Sequence, residues 1–246
     1  MANGIGATIP FGEVDYRWLA GRNNWGLIVD GKEMPPQTIW ECRSSFGSII
    51  PVVVPDAQGN PGFVRPGYAE AENVNLVVYG VDRSGEVKFA VIRQPRPHAE
   101  NPEKPESKTP VVFGQIVMGF LNKVIGEDLI ARYEDVRSGS IRETAEESGA
   151  MVVLDIEYPN YPWHEPNPTF VFTWSNLAFV KIDLDAVEEI KADRNEPIFS
   201  AEWISAGELI GRIAAGKDEE GAVYRMCTAN SAWMIFFATH PELFPR

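Results

Sequence analysis

The stretch Arg142-Glu143-Thr144-Ala145-Glu146-Glu147-Ser148-Gly149-Ala150 places three glutamates within five residues, with an arginine directly before the first. If the segment is helical, Glu143 and Glu147 stand one turn apart and Glu146 lies beside them. Carboxylates this close repel one another, so a positive charge is expected among them. The charge-matched candidate is a hard divalent cation with oxygen ligands, Mg²⁺ or Mn²⁺. Gly149 predicts the end of the helix. Acidic charge in a last turn opposes the helix dipole, so helix propensity alone does not account for the cluster. The alternative is a solvated acidic face, since R-E-x-x-E-E occurs in many unrelated helices.

Spacing upstream sharpens the reading. Glu134 lies eight positions before Arg142, and Gly149 and the apolar Ala150 close the pattern. The resulting string, E-x7-R-E-U-x-E-E-x-G-U with U aliphatic, is the body of the Nudix box, with Thr144 in place of the first U. The chain therefore resembles the Nudix hydrolases. At the front the pattern departs: Asp128 stands six residues before Glu134, where the family has glycine. Either Gly119 ends the preceding strand and extra residues follow it, or Gly126-Glu127 is the family's Gly-Glu pair and a two-turn insertion precedes Arg142. Spacing favours Glu134 as the first box glutamate, with Glu127 in reserve.

The resemblance implies metal-dependent hydrolysis of a nucleoside diphosphate linked to another moiety. It implies Mg²⁺ or Mn²⁺ on Glu143 and Glu147, with Glu146 a further ligand or a water-orienting group. The main-chain carbonyl of Met118 would complete the ligand set, and Arg142 would pair with Glu134 rather than touch metal. For Arg142 the alternative is a solvated i,i+4 partner of Glu146. The segment Lys191–Ile198 resembles the acidic loop of the ADP-ribose pyrophosphatases, where Glu196 would be the general base or a ligand; a solvated loop is the alternative. Arg93-Gln94-Pro95-Arg96 resembles the R-Q-x-R segment of that branch. Arg93 and Arg96 would then bind substrate, arginine being suited to phosphate through its planar fork; arginines at a strand end explain them as well. Glu165–Phe170 lacks the glycines of ADP-ribose-active members, which leaves the substrate at the class of nucleoside diphosphate derivatives. Trp163 and His164 would stack on a base or serve as packing anchors. His98 and His240 have no partner visible in sequence.

Composition sets bounds. The formal charge of −13, from 22 basic and 35 acidic residues, disfavours a general nucleic-acid binder. Cys42 and Cys227 occur without CxxC spacing, which reads as two free thiols in a reducing compartment. No signal peptide or membrane-spanning apolar run is evident, so a soluble, cytoplasmic protein is expected.

Along the chain, residues 1–70 read as a β-rich N-terminal region, and 71–246 as the hydrolase domain. In the branch resembled, such a region often builds a homodimer, so a homodimer is expected. A hairpin is predicted over 74–92 with its turn at 83–86, and a strand over 111–117. The box helix should start near Asp128 or Asp135 and end at Ser148. Further strands are expected from 151, over 170–182 and at 202–204, with a loop over 158–168 between the first two. Helices should follow from a Ser205 cap and over 229–239. That order suits an α+β fold with a mixed sheet between helices, and the resemblance implies the same α/β/α sandwich. Two readings from other classes compete with the hydrolase. One is a catalytically silent module of the same fold that binds a nucleotide-like ligand; the other is a structural domain with a solvated acidic helix.

Overall fold

Strand-forming runs and turn residues alternate through the first seventy positions, and among the residues that the computed structural model describes there, five strands form. It describes residues 14–19, 24–29, 32–33, 47–55, 61–70, 72–96, 110–125, 131–159, 163–164, 171–172, 175–190, 198 and 200–244. Contacts group Met1–Ala71 with Glu165–Trp174 in one unit, and Glu72–His164 with Ser175–Arg246 in another. In the first, β1 (Val14–Leu19), β2 (Asn24–Val29) and β3 (Lys32–Glu33) form an antiparallel sheet. Strands β4 (Gly47–Pro55) and β5 (Pro61–Glu70) form a long antiparallel pair. A later strand, β14 (Val171–Phe172), adds to β5 in parallel. Residues 165–174, which the sequence reading places in the hydrolase domain, thus group with the N-terminal strands.

The second unit begins with β6 (Asn73–Val81) and β7 (Val87–Arg96), the expected hairpin. Its turn is held by Asp82 Oδ1, which accepts from the Ser84 and Glu86 N–H groups at 2.8 and 3.0 Å. Gly85 supplies the left-handed backbone, φ 85°, that closes it. Then come β8 (Val111–Gln115), β9 (Val117–Phe120), and a small hairpin of β10 (Lys123–Ile125) and β11 (Ala131–Tyr133). Helix α1 (Val136–Ser148) follows, then β12 (Val153–Glu157), β13 (Trp163–His164), β15 (Ser175–Ile182) and β16 (Ser200–Ser205). Helices α2 (Ala206–Ala215) and α3 (Cys227–Thr239) complete the chain's main elements.

The central sheet runs β12-β15-β6-β7-β16, with β13 also on β15, β8 on β7 and β9 on β6. Strands β15 and β6 are parallel and their neighbours antiparallel, so the sheet is mixed. Side-chain alternation sends two sets of residues to opposite faces. Val77, Tyr79, Phe89, Val91 and Phe179 pack with Leu209 of α2 and with Trp233 and Phe236 of α3. Val74, Leu76, Val78, Ala90 and Ile92 form the core on the other side, where Val136 of α1 packs. The architecture is therefore α+β, a mixed sheet between helical layers. Phe236 meets Phe89 and Phe179 edge-on at 5.3 and 5.0 Å and stacks on His240 at 4.5 Å. No described helix is long and apolar enough to cross a membrane.

Two expectations are corrected. The start of the box helix at Asp128 gives way to Asp135, which caps α1 by accepting from the Ser138 N–H at 2.9 Å. Residues 131–133 are strand, paired with 123–125, so no continuous helix carries position 127 and Glu134 on one face. Within the 158–168 loop, Trp163 and His164 form a short strand against Ser175 and Asn176.

Candidate functional site

Helix α1 is laid against the sheet by an unusual surface. Its buried residues are Gly139, Ser140, Glu143, Thr144, Glu147 and Ser148. Such a face gains little from the hydrophobic effect, so other interactions must seat it. Ser140 and Ser148 donate to the Val136 and Thr144 carbonyls one turn back, at 2.7 and 2.6 Å, which removes the penalty of burying their hydroxyls. Gly139 lies so close to Leu121 that a Cβ would collide with it. At its far end the helix stops at Gly149, φ 71°, whose N–H bonds the Ala145 carbonyl at 3.1 Å.

Glu143 and Glu147 are buried on this face, at 5% and 1% exposure. The Glu143 carboxylate occupies the space that a Cβ on Gly119 would fill. Glu147 Oε2 accepts the Met118 N–H at 2.9 Å. Strand β9 therefore presents a glycine and a main-chain N–H to two carboxylates one turn apart. Glu146 differs, its side chain being 51% exposed.

Arg142 ties the group together. It bonds Glu134 Oε1, Glu143 Oε1 at 2.7 Å, Glu146 Oε2 at 2.9 Å and the Phe120 carbonyl at 2.9 Å. From a half-buried position Arg142 thus pairs with Glu134 and also with Glu146 one turn on. Burial pulls its pKa down, but the Glu134 and Glu143 contacts outweigh this and raise it above the ordinary arginine value. For Glu134, burial pushes upward, while the Arg142 bond and the Asn122 N–H, at 2.8 Å, prevail and hold its carboxyl below the usual range.

The remaining expected site residues divide. Alternation along β7 puts Arg93 on the face opposite α1, with Phe89 and Val91. There it binds Glu202 at 2.8 Å, Asp218 at 3.1 Å and Glu220 at 3.0 Å. Arg212 joins the same network through Glu202 and the Tyr224 hydroxyl, at 2.8 and 2.7 Å. That cluster fastens α2 and the turn after it to β7 and β16, and it is not brought to the acidic pair. Arg96 lies on the α1 side, donating to Gln115 Oε1 from Nε at 3.2 Å and Nη2 at 2.9 Å. Trp163 takes its place in β13. Glu127, Glu196 and His98 lie outside the described residues. His240, given no role by sequence, is bonded to Glu157 Oε2 at 3.0 Å. Gln94 and Gln115 were also missed; the available signal was a polar residue at core-facing positions of otherwise apolar strands.

Among the described residues, no three Asp, Glu, His or Cys side chains form a ready metal cluster. The donor set still suits Mg²⁺, which is usually held by one or two carboxylates together with water and substrate phosphates. Glu143 and Glu147 supply two such carboxylates, and Gly119 leaves the room that one of them uses.

No family model matches the chain, and the comparison with curated proteins found no match. Among solved structures, the crystal structure of an ADP compounds hydrolase is similar over 81% of this chain and 90% of that one. The identity is 13% and the TM-score 0.48, a likeness too distant to bear on family or chemistry.

Proposed function

We propose that the protein hydrolyses the diphosphate linkage of a nucleoside diphosphate joined to another moiety, of the ADP-ribose or nucleotide-sugar type, with Mg²⁺ or Mn²⁺. One observation carries this reading. Glu143 and Glu147, in the register of the Nudix box, lie buried one turn apart against Gly119 and the Met118 main chain. Buried carboxylates are costly unless paired or bound to metal, and a merely solvated acidic face would not bury them.

In this scheme Glu143, Glu147 and the Met118 carbonyl hold the ion. When bound, it would neutralise the diphosphate oxygens and acidify an attacking water. Arg142 fixes Glu134 and Glu143 in place, and so acts by positioning. Glu146, on the exposed side of the helix, is suited to orient water, and Glu196 is the candidate general base. Arg96 is assigned to an anionic part of the substrate.

The test is incubation with Mg²⁺ or Mn²⁺ and ADP-ribose, nucleotide sugars, dinucleoside polyphosphates and NADH. Two phosphomonoesters should appear, and Glu147→Gln should abolish them. Turnover that survives Glu147→Gln would sink the site assignment. Ligand binding without turnover of any compound would replace the enzyme by a binding module.

A further inference from the structure

The core on the face opposite α1 is apolar, with Val77, Phe89, Phe179, Leu209 and Phe236 among its members. Helix α3 nevertheless brings two polar side chains to it. Trp233 is fully buried, and its ring stacks on Tyr224 with centroids 6.5 Å apart. Asn230, nearly one turn back and partly buried, donates from Nδ2 to the Tyr224 carbonyl at 3.2 Å. A carbonyl only accepts, so this bond fixes which way the amide is turned and leaves Oδ1 as the other end.

Trp233 Nε1 and Asn230 Oδ1 are both shut off from solvent, and among the described residues neither has a hydrogen-bond partner. Leaving such an atom unpaired is costly, and folded proteins rarely do so. Phenylalanine would fill the place of Trp233 without that cost. The two orphans are complementary, since an indole N–H only donates and an amide oxygen only accepts. Positions three apart on a helix are neighbours, with Cβ atoms about 5–6 Å from each other. The two side chains do not bond directly, but a water molecule between them would accept from Trp233 and donate to Asn230. Two polar partners are the fewest that hold a buried water. Arg142 Nε and Thr144 Oγ1 are orphaned too, but they stand two apart on α1, where side chains do not face each other.

Tyr224 lies at the seam that these residues form. Its hydroxyl accepts from Arg212 at 2.7 Å, its N–H donates to the Gly216 carbonyl at 3.0 Å, and its ring occupies the space above Gly114 of β8. The end of the 216–224 segment is thus held to the sheet by Tyr224, and to α3 through Asn230 and Trp233.

We propose that a resident water molecule binds between Trp233 Nε1 and Asn230 Oδ1 and completes the seam between α3 and the segment ending at Tyr224. The site lies on the sheet face away from Glu143 and Glu147, and its water takes no part in the proposed hydrolysis.

Nuclear magnetic resonance of the full chain, labelled with ¹⁵N at its seven tryptophans, tests this. Trp233→Phe identifies the Trp233 indole signal by removing it. In the wild type that indole proton should show a cross-peak to water with the sign of a long-lived, bound molecule. Asn230→Leu should abolish the cross-peak while the indole signals themselves remain. Tyr224→Phe removes a hydroxyl whose exchange with solvent would imitate the effect, and the cross-peak should survive it. No such cross-peak in the wild type, its persistence in Asn230→Leu, or its loss in a folded Tyr224→Phe would overturn the proposal. Where either variant does not fold, a high-resolution crystal structure of the wild type decides. One ordered water within about 3.2 Å of both atoms supports the site; a dry site, or a direct bond between the two side chains, overturns it.

Discussion

Replacing Gly119 with alanine sets two effects against each other. The backbone at this position is not left-handed, and alanine in a strand is favoured over glycine by about 0.5–1 kcal/mol. Against this, the new methyl would occupy the space of the Glu143 carboxylate. That carboxylate is the end of a flexible side chain, so it would swing away rather than push the strand. It would then lose its 2.7 Å bond to Arg142, a charge-assisted contact on the order of 1.5–3 kcal/mol. The second effect is larger, and Gly119→Ala should destabilise the protein by about 0.5–2.5 kcal/mol. In a chain of this size that lowers Tm by roughly 2–4 °C per kcal/mol.

The decisive comparison is made in a Glu143→Ala background. With the carboxylate gone the collision is gone, and the same Gly119→Ala change should become stabilising by about 0.5–1 kcal/mol. Urea unfolding of the four proteins measures both steps, and diphosphate hydrolysis by Gly119→Ala should fall by about 10–100-fold as Glu143 leaves its place. If the substitution has the same sign in both backgrounds, the packing of Glu143 on Gly119 is not what the strand requires.

Other perturbations test other parts of the molecule. The Glu134 carboxyl is held below its ordinary value of 4.5 in the folded protein. Its contribution to stability is therefore complete above that pH and is lost as pH falls through the lower folded value. Thermal melts of Glu134→Gln across the acidic range should show lower stability at neutral pH and a smaller further loss in acid than the wild type. Arg93→Met should cost about 3–5 kcal/mol in denaturant unfolding, because Asp218 and Glu202 are left without it; substrate KM should not move, and a large KM rise would restore Arg93 to the substrate site. Gly149→Ala should cost about 1–2 kcal/mol for its left-handed backbone, and more because its Cβ would meet the Glu188 carbonyl, again read by unfolding.

What the sequence made legible was local. The end of α1 was written in Gly149, the β6–β7 turn in residues 83–86 with Gly85, and the start of α2 in Ser205, which accepts the Glu208 N–H at 3.2 Å, whereas the start of α1 stayed open between Asp128 and Asp135. Each signal acts within a few residues of itself. The candidate site was legible where it lies on one helix, from Arg142 to Glu147. That Arg93 and Arg96 face opposite sides of the sheet follows only from the two-residue period of β7, which the motif read by position did not use. Contacts between distant segments were not legible: 83 residues separate His240 from Glu157, and 21 separate Gln115 from Gln94. The β10–β11 hairpin was missed because strands of three residues leave little periodicity to read.

The polar underside of α1 has a consequence for how this part of the molecule loosens. Lifting that helix exposes carboxylates and hydroxyls on its own side, and apolar residues such as Val74, Leu76 and Val78 on the sheet's. The opening therefore gives up apolar contact, which denaturant weakens, together with contacts between charges, which salt screens. Amide exchange in residues 140–147 should accelerate with urea and also with added salt. Exchange in α3, seated by Trp233 and Phe236, should accelerate with urea and respond little to salt. Ionic conditions would then select the acidic helix from among the elements that the sheet carries.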